Sequence, residues 1–363
     1  MEKPAPVTVQ GAAPPSSGAS GTQADPPAPA ATADSATPAA APAARSGVAL
    51  ILPSKSTAFA RAAEMVRAGF NAARNVARSQ QKVSEFESDG TPDGARDALA
   101  RALAANVAVV VGPLTRDEVG GIFRATSPVP VLALNTPEGD ARAPDNVLAL
   151  SLAIEAEARS VAHAAYRPEA PTAVVVSMAG ALPRRAALAF GQAWTRLGGN
   201  LREGVEFAGS VSRVRQAVER ARADVVFLAT DAERARLIRP YLGRNANVIG
   251  TSQIFAGPPR EGQKALDLNG VRFVDMPWLH QADHAATMVY PRPEAALSVD
   301  LERLYALGID AWRVADELVR ARTDFEIDGV TGALTVRGGA IERTPLLLEY
   351  RDGEAVTAAV EAR

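Results

Sequence analysis

The residues best placed for recognition chemistry stand at the ends of apolar runs. Gly112-Pro-Leu-Thr115 follows Val107 to Val111 and opens a helical pattern. A turn of this kind presents unpaired helix amides and a hydroxyl to an anion such as a carboxylate. Thr115 is the candidate hydroxyl. It also stands three residues before Glu118, the spacing of a capping box, so an ordinary N-cap is the alternative reading. Ser54 after the first apolar run, and Asn135 and Thr136 after the fourth, would point into the same cleft, and turn chemistry accounts for them equally. A zwitterionic ligand also needs a carboxylate for its ammonium group. Asp231, just past Val225 to Ala229, offers one, or else caps the helix behind it. Thr251, Ser252 and Gln253 follow a further strand and complete the candidate ligand cleft.

Catalytic constellations are missing. His280 and His284 beside Asp283 have ligand-like spacing if helical, but no third ligand accompanies them, and His163 stands alone in a helix. Ser79-Gln-Gln-Lys82 fits the serine acylase signature Ser-x-x-Lys without its companion motifs, where a helix ends rather than begins. The phosphate-loop, dinucleotide, nucleophile-elbow and zincin motifs do not occur. The expectation is therefore no catalytic residue, no metal and no cofactor. The sequence contains no cysteine, which excludes thiol chemistry, disulfides and cysteine metal sites. A formal net charge of −2 argues against nucleic-acid binding. With 35 Arg beside four Lys, arginine abundance is weak evidence for a phosphate site.

The elements that would position these residues follow from periodicity. Val48 to Leu52 reads as a buried strand, and Phe59, Ala62, Ala63, Val66, Phe70 and Ala73 as one helix face. The pair recurs as strand Val83 to Phe86 with helix Asp93 to Ala104, and strand Val107 to Val111 with helix Arg116 to Ala125, before strand Val129 to Leu134. Strands that are apolar throughout and separated by helices predict a parallel sheet covered on both faces. A second α/β series runs from strand Val147 to Leu150 through helices Ile154 to Ala165, Arg184 to Leu197, Ser212 to Ala221 and Ala232 to Tyr241 to strand Val271 to Val274. Beyond it, Asp300 to Ala306 and Ile309 to Arg322 read as helices, and Gly332 to Val336 with Leu346 to Tyr350 as a hairpin about Gly338-Gly339. The prediction is two doubly wound α/β lobes joined by several crossings, with lobe 1 about 47–149 plus 278–325 and lobe 2 about 150–277 plus 326–363. Ligands in such sheets lie at the carboxyl ends of the strands, between lobes.

Two stretches fall outside this pattern. Residues 1–46 hold 15 Ala and nine Pro but no Leu, Ile, Phe, Tyr or Trp, too little to bury, and read as a disordered tether. They lack the basic start and apolar core of a secretory signal, so the chain is expected to be either cytosolic or a processed form. Trp278 and Leu279, then Met288, Val289, Tyr290 and Pro291, occupy a proline-containing connector. They form either a flap over the first lobe or a contact patch, with Trp278, Leu279 and Tyr290 as the candidate partner contacts. The Arg-rich helix Arg213 to Arg222 reads as a solvated face.

The order Val48-Ala-Leu-Ile-Leu-Pro53, Gly69-Phe-Asn-Ala-Ala73, Val110-Val-Gly-Pro-Leu-Thr115 and Val131-Leu-Ala-Leu-Asn135 resembles type I periplasmic binding proteins. More specific are Val248-Ile-Gly-Thr-Ser-Gln253, Asp267-Leu-Asn-Gly-Val-Arg-Phe-Val-Asp-Met-Pro-Trp278, Leu304-Tyr-Ala-Leu-Gly-Ile-Asp-Ala-Trp312 and Asp328-Gly-Val-Thr-Gly-Ala-Leu334. Together they resemble the C-terminal domain of the LppC lipoproteins, the penicillin-binding protein activator family, from about Gly47 to Glu354. The resemblance implies a non-enzymatic periplasmic protein, lipid-anchored to the outer membrane, that docks on a class A penicillin-binding protein and stimulates wall synthesis. The chain shows no lipobox cysteine, so the anchor is inferred, and the Ala/Pro stretch stands where long members carry a helical-repeat domain. The alternative is a solute-binding protein that closes on an amino-acid-like or peptidoglycan-derived ligand.

Overall fold

The computed structural model describes residues 45–139, 142–243, 245–257, 264–293 and 297–358. The tether lies outside this range but for Arg45 and Ser46. The first lobe alternates β1 (Val48–Leu52), α1 (Ala60–Val76), β2 (Val83–Glu87), α2 (Pro92–Ala104), β3 (Val109–Val111), α3 (Arg116–Ile122), β4 (Val131–Ala133) and β5 (Val147–Ala149). Its strands pair in parallel in the order β2-β1-β3-β4-β5. Every residue of β1 is buried because both faces are covered. Val48, Leu50 and Leu52 join one core with Val66 and Phe70 of α1, whereas Ala49 and Ile51 join another with Ala98 of α2 and Val119 of α3.

The second lobe comprises α4 (Ile154–Ala165), β6 (Thr172–Ser177), α5 (Ala181–Arg196), β7 (Asn200–Leu201), β8 (Val205–Glu206), α6 (Val211–Ala221), β9 (Val225–Ala229), α7 (Ala232–Ile238), β10 (Asn247–Gly250) and β11 (Val271–Asp275). The chain then forms two short helices, α8 (Pro277–His280) and α9 (Ala285–Met288), and the long α10 (Val299–Val319). It ends in β12 (Phe325–Asp328), β13 (Ala333–Arg337), β14 (Ala340–Thr344), β15 (Leu346–Arg351) and β16 (Glu354–Thr357). The second sheet runs β16-β15-β11-β10-β9-β6-β7, with β8 also against β6, and only β15 runs against its neighbours, β11 and β16.

Helix α10 returns to lie along α1 in the first lobe. A Cβ on Gly69 would stand 1.9 Å from the Tyr305 carbonyl oxygen, and one on Gly308 would stand 2.1 Å from that of Val66. The helix backbones touch where each lacks a side chain, and Phe70 meets Trp312 edge to face, 5.1 Å between centroids. The two helices expected at Asp300 to Ala306 and Ile309 to Arg322 are therefore one, because Gly308 is a contact point rather than a stop. The predicted hairpin also differs. The turn at Gly338-Gly339 joins β13 to β14, and β15 pairs instead with β11 and β16. Phe325, Leu334 and Val336 share the core of β1 and α10, so residues 325–344, expected mostly in lobe 2, pack with lobe 1. The chain thus crosses between lobes three times, at β5 to α4, β11 to α8 and β14 to β15.

Candidate functional site

The turn after β3 is shaped by Gly112, whose φ is +102° and where a Cβ would stand 2.0 Å from the Ile51 carbonyl oxygen. It delivers Thr115 to the N-cap of α3, where the hydroxyl accepts from the Glu118 amide at 3.3 Å and donates to Glu118 Oε2 at 3.0 Å. The Thr115 amide donates to the same oxygen at 3.1 Å. This is the capping-box alternative, so the hydroxyl is engaged locally rather than offered to a ligand. Asp231 likewise caps α7, accepting from the Arg234 amide at 2.9 Å and pairing with its guanidinium at 2.8 Å. Its carboxylate already has a cation. Ser54 accepts from Arg67 Nη2 at 2.6 Å, which ties it to α1.

The remaining candidates line small cavities. Asn135 donates to the Leu114 carbonyl at 3.0 Å, and borders a cavity of about 290 Å³ that also meets Leu114 from lobe 1 and Leu182, Ser252 and Gln253 from lobe 2. A second cavity of about 140 Å³ in lobe 2 brings Asp231, Thr251 and Gln253 together with Thr230. Thr230, absent from the sequence-based candidates, has a buried hydroxyl with no hydrogen-bond partner. Its signal in the sequence was its place between β9 and the cap of α7. Thr136 borders a third cavity, of about 720 Å³, lined from both lobes and by Arg116, Arg159, Arg185 and Arg343.

Between these cavities the lobes are pinned by buried charge. Arg303 of α10 donates to Asp275 Oδ2 and to the Ser252 carbonyl, each at 2.9 Å, and His280 Nε2 lies 3.2 Å from the same carboxylate. Burial alone would push the Asp275 carboxyl up, but Arg303 and His280 outweigh it and hold it below the ordinary aspartate value. Glu157 of α4 accepts from the Ser252 amide at 3.1 Å and meets Arg343 of β14 at 3.3 Å. Here burial dominates, and its carboxyl is raised despite Arg343. Arg343 also donates to the Ser151 and Thr331 carbonyls. Ser252 therefore serves the junction through its backbone. Sequence reasoning missed Glu157, Asp275, Arg303 and Arg343, whose partners lie far away in the chain.

The connector packs against the body. Trp278 is fully buried, donates to Glu302 Oε2 at 2.6 Å and carries Arg292 3.7 Å over its ring, so its assignment as a partner contact is corrected to the flap alternative. Leu279 and Tyr290 are partly buried against the first core, whereas Met288 and Val289 are exposed. His280 and His284 lie on different helices, His284 capping α9 through Nδ1, and so do not share the helix face their spacing would need. Ser79 accepts from the Gln81 amide in the loop before β2. Among the described residues no helix is long and apolar enough to cross a membrane.

Comparison with known proteins places this geometry. A family model described as "LppC putative lipoprotein" matches residues 29–353. The chain is 27% identical over 296 residues to the penicillin-binding protein activator LpoA of Serratia proteamaculans (strain 568), covering 68% of this chain and 43% of that protein. It spans less than half the length of the curated relatives it matches. Among solved structures, the LpoA (YraM) C-domain from Haemophilus influenzae, described as a regulator of PBP1A, superposes with a TM-score of 0.71 at 22% identity, over 86% of this chain and all of that one. A protein of Chromobacterium violaceum ATCC 12472, described as "a putative branched-chain amino acid ABC transporter", is 35% identical with a TM-score of 0.70, over 84% of this chain and all of that one. The fold is therefore the two-lobed, type I periplasmic-binding-protein-like fold.

Proposed function

The chain belongs to the LppC family, and from that premise we propose that it is a non-enzymatic periplasmic regulator that docks on a class A penicillin-binding protein and stimulates peptidoglycan synthesis. The observation that carries this reading is the family match from residue 29 to residue 353, joined to the likeness to LpoA activators over 296 residues. The non-enzymatic part is supported by where the polar groups go: Thr115, Asp231, Asp275 and Glu157 each hold a helix end or a lobe junction. A lipid anchor at the outer membrane completes the proposal, with residues 1–46 as the spacer. The test is glycan-strand polymerisation by a class A synthase of the same cell with and without the purified protein. Stimulation together with pull-down of the synthase is expected; neither one with any class A synthase of that cell would refute the reading.

A second reading is favoured by the cavities that meet Thr230, Gln253 and Asn135 and by the 35% identity to the Chromobacterium protein. In it the lobes hold a small amino-acid-like or peptidoglycan-derived molecule. Thermal unfolding against a panel of amino acids and wall fragments checks it, with Gln253→Ala expected to abolish any rise.

A further inference from the structure

A groove of about 960 Å³ runs between α5 and the edge strands β7 and β8 of the second lobe. Helix α5 supplies Leu188, Gln192 and Arg196 to it, and the sheet supplies Val175, Leu201 and Arg202. A lone exposed leucine is ordinary. Here two border one groove, Leu188 at 62% and Leu201 at 39% exposure. A Cβ on Gly191 would stand 2.8 Å from Leu201 Cδ2, so Leu201 lies against the helix where the side chain is missing. The charge around this aliphatic floor is one-sided. Residues 150–277 hold 16 Arg and one Lys against eight Glu and four Asp, in a chain of net charge −2, so the second lobe is the basic one. Arg215, Arg234 and Arg236 of that lobe each pair with a carboxylate, at 2.7, 2.8 and 2.8 Å. Arg184, Arg196 and Arg202, by contrast, are exposed and have no ion pair among the described residues. Arg184, Leu188, Gln192 and Arg196 recur at every fourth position and so form one stripe of α5. Glu206 is the single carboxylate on the groove wall.

The form of the groove narrows what it can take. Strand addition is disfavoured, because β7 and β8 are two residues each and their edge carries Arg202, Glu203 and Glu206. No aromatic ring lines the groove, so a base or a sugar face finds no surface to stack on. Side-chain recognition is left: an apolar side chain over Leu188 and Leu201, flanked by carboxylates for the arginines. A polypeptide segment rich in Asp or Glu around an apolar residue has this chemistry. We propose that the groove is the surface by which the chain docks on its synthase, and that it takes an acidic segment of that partner with an apolar side chain at its centre. The inference rests on the reading of the chain as a synthase regulator and adds where, and to what chemistry, it binds.

The test is the affinity of the whole chain for a class A synthase of the same cell, at low and at high salt, for the parent, Leu188→Asp and the double variant Arg196→Glu/Arg202→Glu. All three side chains are exposed, so both variants are expected to unfold like the parent. Leu237→Asp, which changes an exposed leucine of α7 outside the groove, is the control and is expected to bind as the parent does. Each groove variant is expected to bind about tenfold more weakly, and the parent's affinity to fall with salt more steeply than that of the double variant. Groove variants that bind like the parent would overturn the site while leaving the regulator reading standing, and parent binding that ignores salt would overturn the acidic segment. If the double variant loses binding to isolated peptidoglycan but keeps the synthase, an anionic glycan replaces the polypeptide and the proposal falls. A parent chain that binds no class A synthase of that cell would overturn both the docking surface and the regulator reading.

Discussion

Glu157 and Asp275 serve one junction yet titrate in opposite senses. Burial raises the Glu157 carboxyl, so the folded protein holds that proton more tightly than the unfolded chain. Its contribution to stability therefore falls as pH rises from the unfolded value, about 4.3, through the folded one. Asp275 is depressed by Arg303 and His280 in spite of burial, so its contribution is present above about pH 3.9 and lost as pH falls through the folded value. Urea unfolding of wild type and Glu157→Gln between pH 4 and 8 should show wild type losing stability relative to the variant as pH rises. A relative gain would contradict the burial argument. Trp278→Ala should cost about 3–5 kcal/mol, because a fully buried indole, its bond to Glu302 and its contact with Arg292 all go. A surface contact would cost little, so unchanged unfolding would return Trp278 to the list of partner residues. Local spacing made the caps legible: Thr115 with Glu118, and Asp231 before Ala232, could be read as helix starts. The junction could not be read that way. Glu157 meets Arg343 and Arg303 meets Ser252 across 186 and 51 residues, and no local pattern encodes such pairs.

At the scale of elements, the strands and helices of both lobes were readable because a strand buried on both faces and a helix with one apolar face leave different periods in the sequence. The exceptions share a cause: long-range contact decided them. Gly308 looked like a helix boundary but is the point where α10 touches α1. Gly308→Ala is therefore expected to destabilise the fold by about 1–3 kcal/mol despite the better helix propensity of alanine, measurable as a lowered urea midpoint. A raised midpoint would mean that the two helices are further apart. The four specific sequence blocks of the family resemblance also gain a physical meaning. Ser252, Asp275 and Arg303 meet at the junction, the Trp278 amide donates to the Val330 carbonyl at 2.9 Å, and buried Asp310 accepts from the Val330 and Thr331 amides at 3.1 and 2.8 Å. The second and third blocks each bond to the fourth, and the first meets the second through Arg303, which stands just before the third. They record how the first lobe closes on its returning segments and how Arg303 ties it to the second, while the arginine-lined cavity draws on other residues.

For the whole molecule, each lobe is built from separate stretches of chain. The first core needs Phe325, Leu334 and Val336 beside β1, and the second sheet needs β15 against β11. A chain ending at Arg322 should therefore lack a cooperative unfolding transition in both lobes, seen as a lost near-ultraviolet dichroism signal and a sloping urea curve. A sharp transition would show that one lobe folds alone. The two-lobe architecture was legible from the repeated α/β series, but the ownership of residues 325–344 was not, since a short antiparallel sheet carries no mark of the core it will cover.

The return of α10 onto α1 also sets a schedule for the newborn chain. Val66 and Phe70 on α1 emerge long before Ile309 and Trp312 arrive to cover them. With 243 residues between the end of α1 and the end of α10, that apolar face stays bare until nearly the whole chain has emerged, and in a chain that folds in the periplasm until it has crossed the inner membrane. During that interval the first lobe depends on whatever shields it, so a substitution that loosens the α1–α10 contact should first reduce the yield of protein that reaches its fold, before it alters anything the finished molecule does.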